Sequence, residues 1–435
     1  MMGANLNLRH DTRDIREFDA IVVGSGTCGA TLARELSRAG KSVLLLERGG
    51  NGPLRETFGG IVAIADQVKL GPDRLSTVRA LTTGGSTAMY FGVVDYPPLE
   101  TFRALGIELA GDLAAVRAEL PIGPLPDTLL NPQAHRLRES AVALGHDWRK
   151  HDMLVDVARC PSGYAYEARW KARRYVEDAV QAGATLVARA TVERILVDGE
   201  RAVGVAYRAR RRPFGGTLHE ARARKIVVAA GELASPRLVR DCGIREVGAR
   251  GFYCNPGYAI YGLVPGMRGT DGFVGSMGCD LEDGIELGDA TVARALHRPM
   301  MLGGLHFRHL RAFPQTLGIG VKVKDAPGGQ FGADGRFHKR IGREDQHRLE
   351  WGRRVAVGVL REAGAKHIVD FGVTAAGRVG GLLRIGEHVD ARLETRLRDL
   401  HVCDGSVIPD DMRGTPTVTL VCLARYLSRQ LLAAL

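Results

Sequence analysis

Residues 18–50 read FDAIVVGSGTCGATLARELSRAGKSVLLLERGG. Ala20 to Val23 is a short, wholly apolar run, the pattern of a parallel strand buried on both faces. Gly24-Ser25-Gly26-Thr27-Cys28-Gly29 follows directly. Leu32 and Leu36 then recur at helical spacing, and Gly40 is placed as the helix's C-terminal cap. A second apolar run, Val43 to Leu46, ends at Glu47. Strand, glycine turn, helix and strand in this order predict a βαβ unit, the opening of a doubly wound α/β domain.

The turn carries its own chemistry. Gly24, Gly26 and Gly29 have the G-x-G-x-x-G spacing. The first allows a tight turn and the second lets backbone approach a pyrophosphate, while the third lets helix pack closely on strand. The helix start at Thr27 and Cys28 offers N–H groups and the positive end of a dipole. Glu47, about 20 residues on, is placed to accept hydrogen bonds from both hydroxyls of a ribose. The segment therefore predicts an adenine dinucleotide site.

Outward from there, ALTTGGSTAMYFG (80–92) is a second glycine-rich stretch. Residues from about 101 to 175 read as mainly helical, interrupted by Pro121, Pro124, Pro126 and Pro132. Strand patterns return between Ala182 and Arg208. RKIVVAAGELASPRLV (224–239) repeats the sequence of buried strand, glycine turn and helix start. Residues 251–330, rich in Gly and aromatics with alternating runs such as LGIGVKVK, predict an antiparallel sheet. A helix is expected near Arg343 to Ala363. The end of the chain reads as a buried strand, a polar turn and a long closing helix. The expected architecture is α/β: a Rossmann-type unit of 17–100, 180–250 and 375–435, an inserted α+β substrate domain of 101–179 and 251–374, and a tail of 1–16.

The 435 residues carry a net charge of +11, which raises nucleic acid or an acidic membrane as partners. The basic residues are scattered, however. Their densest group, Arg208, Arg210, Arg211 and Arg212, adjoins Pro213 and Gly215-Gly216 and reads as a solvated hairpin. No basic groove interleaved with aromatics appears, so nucleic acid is set aside. Seven cysteines form no CxxC pair and no zinc spacing. No metal site is expected, and the thiols read as reduced, in the cytoplasm. The first twenty residues hold no apolar stretch of signal-peptide length, and no window approaches the ~18 apolar residues of a membrane span.

Taken in order, Glu47-Arg48-Gly49-Gly50, Gly84-Gly85-Ser86-Thr87, Ala230-Gly231-Glu232 with Ser235-Pro236, and Asp404-Gly405-Ser406 resemble the glucose–methanol–choline family of flavin oxidoreductases over nearly the whole chain. The resemblance implies FAD as cofactor. It implies that Val192 contacts the adenine through its backbone. The Gly84–Thr87 loop would run beside the isoalloxazine ring, and Asp404 would bind the ribityl or pyrophosphate side. Thr415-Pro416 would open the closing helix as N-cap and first residue, its dipole aimed at the flavin.

Two positions depart from the family. Its usual catalytic His, in a stretch matched here by RVGGLLRIG, is replaced by Arg378, and a guanidinium cannot act as general base. The family's second residue, His or Asn before proline, is matched by Thr415, which reads more readily as a helix cap. Arg378 either sits over the flavin to bind a substrate anion or is a surface arginine in shifted register. His388, His306 and His309 are further base candidates, each of which reads more readily as a structural or surface histidine. Tyr90 could shield the flavin or simply pack.

The expected reaction is oxidation of a CH–OH group of a small organic substrate by hydride transfer to flavin N5. O2, a quinone or a carrier would take the electrons, and a partner protein could cover the small substrate domain. One alternative is chemistry on a C–C or C–N bond, or redox-neutral chemistry, with Arg378 anchoring an anion. The other is a non-catalytic FAD-binding subunit.

Overall fold

A computed structural model describes residues 17–71, 75–210, 215–373 and 375–435. The predicted tail and Arg211, Arg212 and Pro213 of the basic turn lie outside the described residues. Two sheets, each with its own apolar core, organise the rest.

The first sheet grows from the quoted segment. Glu17–Val23 pairs in parallel with Val43–Glu47, Ala20 opposite Val43 and Val23 opposite Leu46. The helix Thr27–Arg38 connects them, burying Leu32 and Leu36 completely. Gly40 follows that helix at φ +77, the left-handed position that ends it without steric penalty. Thr185–Ala188 extends the sheet beside Val43–Glu47. On the other side Thr217–Val228 pairs with the first strand, and Leu400–Val402 pairs with the end of Thr217–Val228, all in parallel. Ile21, Val22, Leu45, Val227 and Val402 are fully buried, each contributing roughly 1.5–3 kcal/mol over exposure. The front half of Thr217–Val228 instead joins an antiparallel meander with Arg201–Ala209 and Ala190–Asp198. The parallel strands all end on one side, at Val23, Glu47, Val228 and Val402, where open α/β sheets bind ligands.

The second sheet is antiparallel except where Ala375–Ala376 meets Ser76–Ala80. Its centre is Pro256–Leu263 paired with Thr316–Val323, followed by Ile285–Asp289 and Met277–Leu281. The helix Arg343–Glu362 packs across it. Two expectations are corrected here. Residues 65–80, grouped above with the nucleotide-binding unit, form the strands Ala65–Lys69 and Ser76–Ala80 of this second sheet. Residues 101–175 are helical over Leu99–Ala104, Ala110–Glu119 and Pro132–Ala143. Beyond Gly145 they become short strands and turns, too brief to leave a periodic signal.

The closing helix runs Thr417–Ala434, with Pro416 as its N-cap. Thr415 does not cap it. Its hydroxyl turns away to the carbonyl of Val93 (2.6 Å) and the carboxylate of Asp95 (3.1 Å).

Candidate active site

The first parallel strand stops at Gly24, whose φ of +99 turns the chain sharply against the end of Thr217–Val228. A Cβ at Gly24 would strike the Ala229 carbonyl, and one at Gly29 would overlap the carbonyl of Gly24 itself. Both glycines are therefore required by packing alone. Gly26 differs: φ is −65, and a Cβ there would meet nothing within 4 Å. It is the N-cap of the helix, and no side chain caps the N–H groups that follow. Free donors beside open space form an anion cradle.

Behind the cradle, Glu47 is 6% exposed. Its carboxylate accepts from the Ser25 amide (3.0 Å), the Ser25 hydroxyl (2.6 Å) and the Gly49 amide (2.6 Å). A carboxylate offers about four acceptor sites. The geometry leaves capacity for about one ribose hydroxyl while Ser25 holds this rotamer, rather than for both. The Ser25 hydroxyl also accepts from the Gly84 amide at 3.2 Å, which joins the two glycine loops. Gly84 and Gly85 both have positive φ, and Gly85 lies against Gly26. The Thr87 hydroxyl donates to the Gly84 carbonyl and accepts from the Ala172 amide, so it fixes the loop from behind.

These loops open onto a cavity of about 720 Å³ along the carboxyl edge of the parallel strands. Of the residues singled out by sequence, Gly24, Gly26, Thr27, Cys28, Glu47, Arg48, Gly85, Ser86, Val192, Ala230, Gly231, Asp404 and Gly405 line it. Gly29, Gly84, Thr87, Thr415 and Pro416 are not among its lining. Val192 lies at an irregularity in the pairing with Arg201–Ala209. Asp404 has its carboxylate occupied by the protein. One oxygen accepts from the Gly231 amide and the Ser235 hydroxyl, the other from the amide and hydroxyl of Ser406. It thus ties two strand-end turns together at the cavity wall.

Sequence reasoning missed Glu232. It lines the cavity beside Gly405, and burial, then the Asp404 carboxylate, push its carboxyl up to about 7. A charged residue directly after a strand-end glycine in an otherwise apolar stretch was the available signal. Arg79, also in the lining, is held by Asp66 at 2.8 Å.

Arg378 is 6% exposed, which removes the surface reading. It donates to the Tyr253 hydroxyl (2.9 Å) and the Met412 carbonyl (2.6 Å), and its guanidinium lies over the Tyr253 ring. It acts electrostatically on Glu232 in the cavity and on Lys322 beyond it. Burial opposes the charge on Lys322, but Glu286 at 2.7 Å, with Asp95, keeps its pKa above the usual range. Asp95 accepts from the Thr415 amide at 2.6 Å, and burial raises its carboxyl. Asp95, which holds Thr415, and Arg378 both act electrostatically on Lys322, so neither Thr415 nor Arg378 serves as a helix cap or a free anion clamp. His388 closes the turn at 384–388 by accepting from the Arg384 amide, and it lies outside the cavity's lining. His306 packs on Phe371 and His309 near His367. Tyr90 donates to the Trp170 carbonyl and packs, half-buried, against the first core.

The residues fit FAD. Gly26 and Gly231 present backbone to open space. Thr419 Oγ1, in the first turn of the closing helix, and Arg378 Nε are buried polar atoms without a partner among the described residues. Residues 22–63 match the NAD(P)-binding Rossmann-like domain, and residues 114–252 match the GMC oxidoreductase domain. An uncharacterised GMC-type oxidoreductase of Mycobacterium tuberculosis is 31% identical over 266 residues, 54% of this chain and 41% of that protein. Over these stretches the chain is similar to the GMC oxidoreductases. An oxygen-dependent choline dehydrogenase of Pseudomonas putida is 30% identical over 286 residues, 53% of this chain and 48% of the relative. The matched stretches cover less than half the length of these curated relatives. Among solved structures, pyridoxine 4-oxidase from Mesorbium loti aligns at TM-score 0.66 and 16% identity, covering 95% of this chain and 99% of that one. Formate oxidase aligns at TM-score 0.70 and 14% identity, covering 97% and 99%. At these identities the structures speak for the GMC fold.

Proposed function

We propose that this chain is an FAD-dependent oxidoreductase of the GMC family acting on the CH–OH group of a small organic substrate. The observation that carries the reading is the uncapped, side-chain-free helix start at Gly26 opening onto a dinucleotide-sized cavity within this family's fold. The amides that follow Gly26 bind the diphosphate, and Glu47 binds a ribose hydroxyl. Bound FAD supplies the hydride acceptor at its N5. Oxidation to a carbonyl also releases the hydroxyl proton, which this chain must take. Arg378 cannot take it. Glu232 is the candidate: it lines the cavity beside Gly405, and burial raises its carboxyl to about 7, the range in which a general base works best. Two of Arg378's nitrogens already donate to protein oxygens, which speaks against its anchoring a substrate anion.

The test is anaerobic mixing of the flavin-loaded chain with a panel of primary and secondary alcohols, following bleaching of the flavin band. Glu232→Gln is expected to slow bleaching by roughly 10²–10⁴-fold and to abolish the fall in rate below a pH of about 7. Bleaching by amines or acids but by no alcohol would refute the substrate class. An unchanged rate in the variant would refute the role of Glu232.

A further inference from the structure

We infer that the turn at 302–308 is an attachment surface for an anionic lipid bilayer. From Ala290 to Val321 the chain holds Arg294, Arg298, Arg308 and Arg311 but no Asp or Glu. The helix Arg294–Gly303 leads into this turn, and the short helix Phe58–Val62 packs beside it. At the tip the apolar side chains point outward. Leu302 is 49% exposed, Leu305 73% and Phe307 59%, with Phe58 at 53% and Val62 at 56% on the neighbouring helix. Scattered exposed apolar residues are ordinary, whereas a group of them on adjoining elements marks a contact surface.

Leu305 sharpens the argument. Its φ is +61, a left-handed conformation that a leucine adopts poorly, although glycines stand at 303 and 304. The turn is closed by the Leu305 amide to the Leu302 carbonyl and by the His306 amide to the Met301 carbonyl. The fold thus holds a bulky apolar side chain outward in a strained backbone.

The surrounding charge selects the occupant. Among the described residues, Arg298, Arg308 and Arg311 make no ion pair, and Arg294 lies over the Phe313 ring. The nearby acids are engaged: Glu56 pairs with Arg169, and Asp271 accepts from the Arg294 amide. Protruding apolar tips within an unneutralised cationic rim suit an interface of acyl chains and acidic headgroups, where arginine stems lie along the apolar layer. No helix among the described residues is long and apolar enough to cross a membrane, so the attachment is to the bilayer's surface.

The test is co-sedimentation of the purified chain with vesicles of phosphatidylcholine alone and of phosphatidylcholine mixed with phosphatidylglycerol. Binding is expected to the mixed vesicles and to weaken with salt. Leu305→Ser with Phe307→Ser should lower partitioning at least tenfold while leaving the melting temperature unchanged. Arg308→Gln with Arg311→Gln should lower it about fivefold per arginine. A Phe307→Trp variant should shift its emission to shorter wavelength on adding mixed vesicles. The inference fails if the chain ignores the mixed vesicles, or if either double variant binds like the wild type. It also fails if the chain sediments as a dimer that the Leu305/Phe307 variant dissolves, which would assign the patch to a second copy.

Discussion

Gly26→Ala separates a glycine needed by a ligand from one needed by the fold. At Gly26 the backbone φ of −65 suits any residue, and the added methyl meets no protein atom within 4 Å. Alanine is a poorer N-cap than glycine, a loss of roughly 0.5–1 kcal/mol, and a stiffer unfolded chain offsets about 0.4–1 kcal/mol of it. The apoprotein should therefore melt within a few degrees of wild type. A dinucleotide held by the amides after Gly26 would instead meet the methyl where its diphosphate approaches. Losing two charge-assisted backbone bonds at roughly 1.5–3 kcal/mol each removes about 3–6 kcal/mol, or roughly 10²–10⁴-fold in affinity. Gly29→Ala is the contrasting case. Its methyl overlaps the Gly24 carbonyl, so stability and binding should fall together. Fluorescence titration of apoprotein with FAD, alongside thermal melts, reads both quantities. Wild-type FAD affinity in Gly26→Ala would refute the placement of the diphosphate.

Two further outcomes are expected. Burial pushes the Asp289 carboxyl up to about 7, and one of its oxygens is buried without a partner. Between the ordinary carboxyl range and pH 7 the native state then binds more protons than the unfolded chain, so this residue's contribution to stability falls as pH rises, by up to about 1.4 kcal/mol per unit. Asp289→Asn should gain on wild type in paired melts from about pH 4 to pH 7 and hold level above; a constant difference would contradict the assignment. Arg378→Met removes donors to Tyr253 and Met412 and should destabilise the apoprotein by about 2–4 kcal/mol. An unchanged denaturation midpoint would show that these bonds contribute nothing.

The parallel core was legible in sequence because its signals are local. Ala20–Val23 and Val43–Leu46 are uninterrupted apolar runs, and the glycines between them have fixed spacing. The antiparallel sheet's limits were not. Ala65–Lys69 alternates between exposed and half-buried residues, and Ser76–Ala80 reaches its partner Ala375 only through the fold. The site divides the same way. The cradle at Gly24–Thr27 follows from spacing, but Thr415 bonds to Asp95, 320 residues earlier, and no local pattern encodes that. Arg378 was visible as a departure from the family, while its burial against Tyr253 was not. Glu232 stood in plain view in a quoted motif; only burial in three dimensions gives it a proton affinity worth noticing.

The most direct check is titration of the apoprotein with FAD, with NAD as the comparison, reading stoichiometry and the flavin's visible spectrum. One FAD per chain, with a spectrum altered from that of free flavin and no competition by NAD at similar concentration, is the expected result. A chain that stays colourless after incubation with FAD, or that takes NAD in preference, would contradict the account.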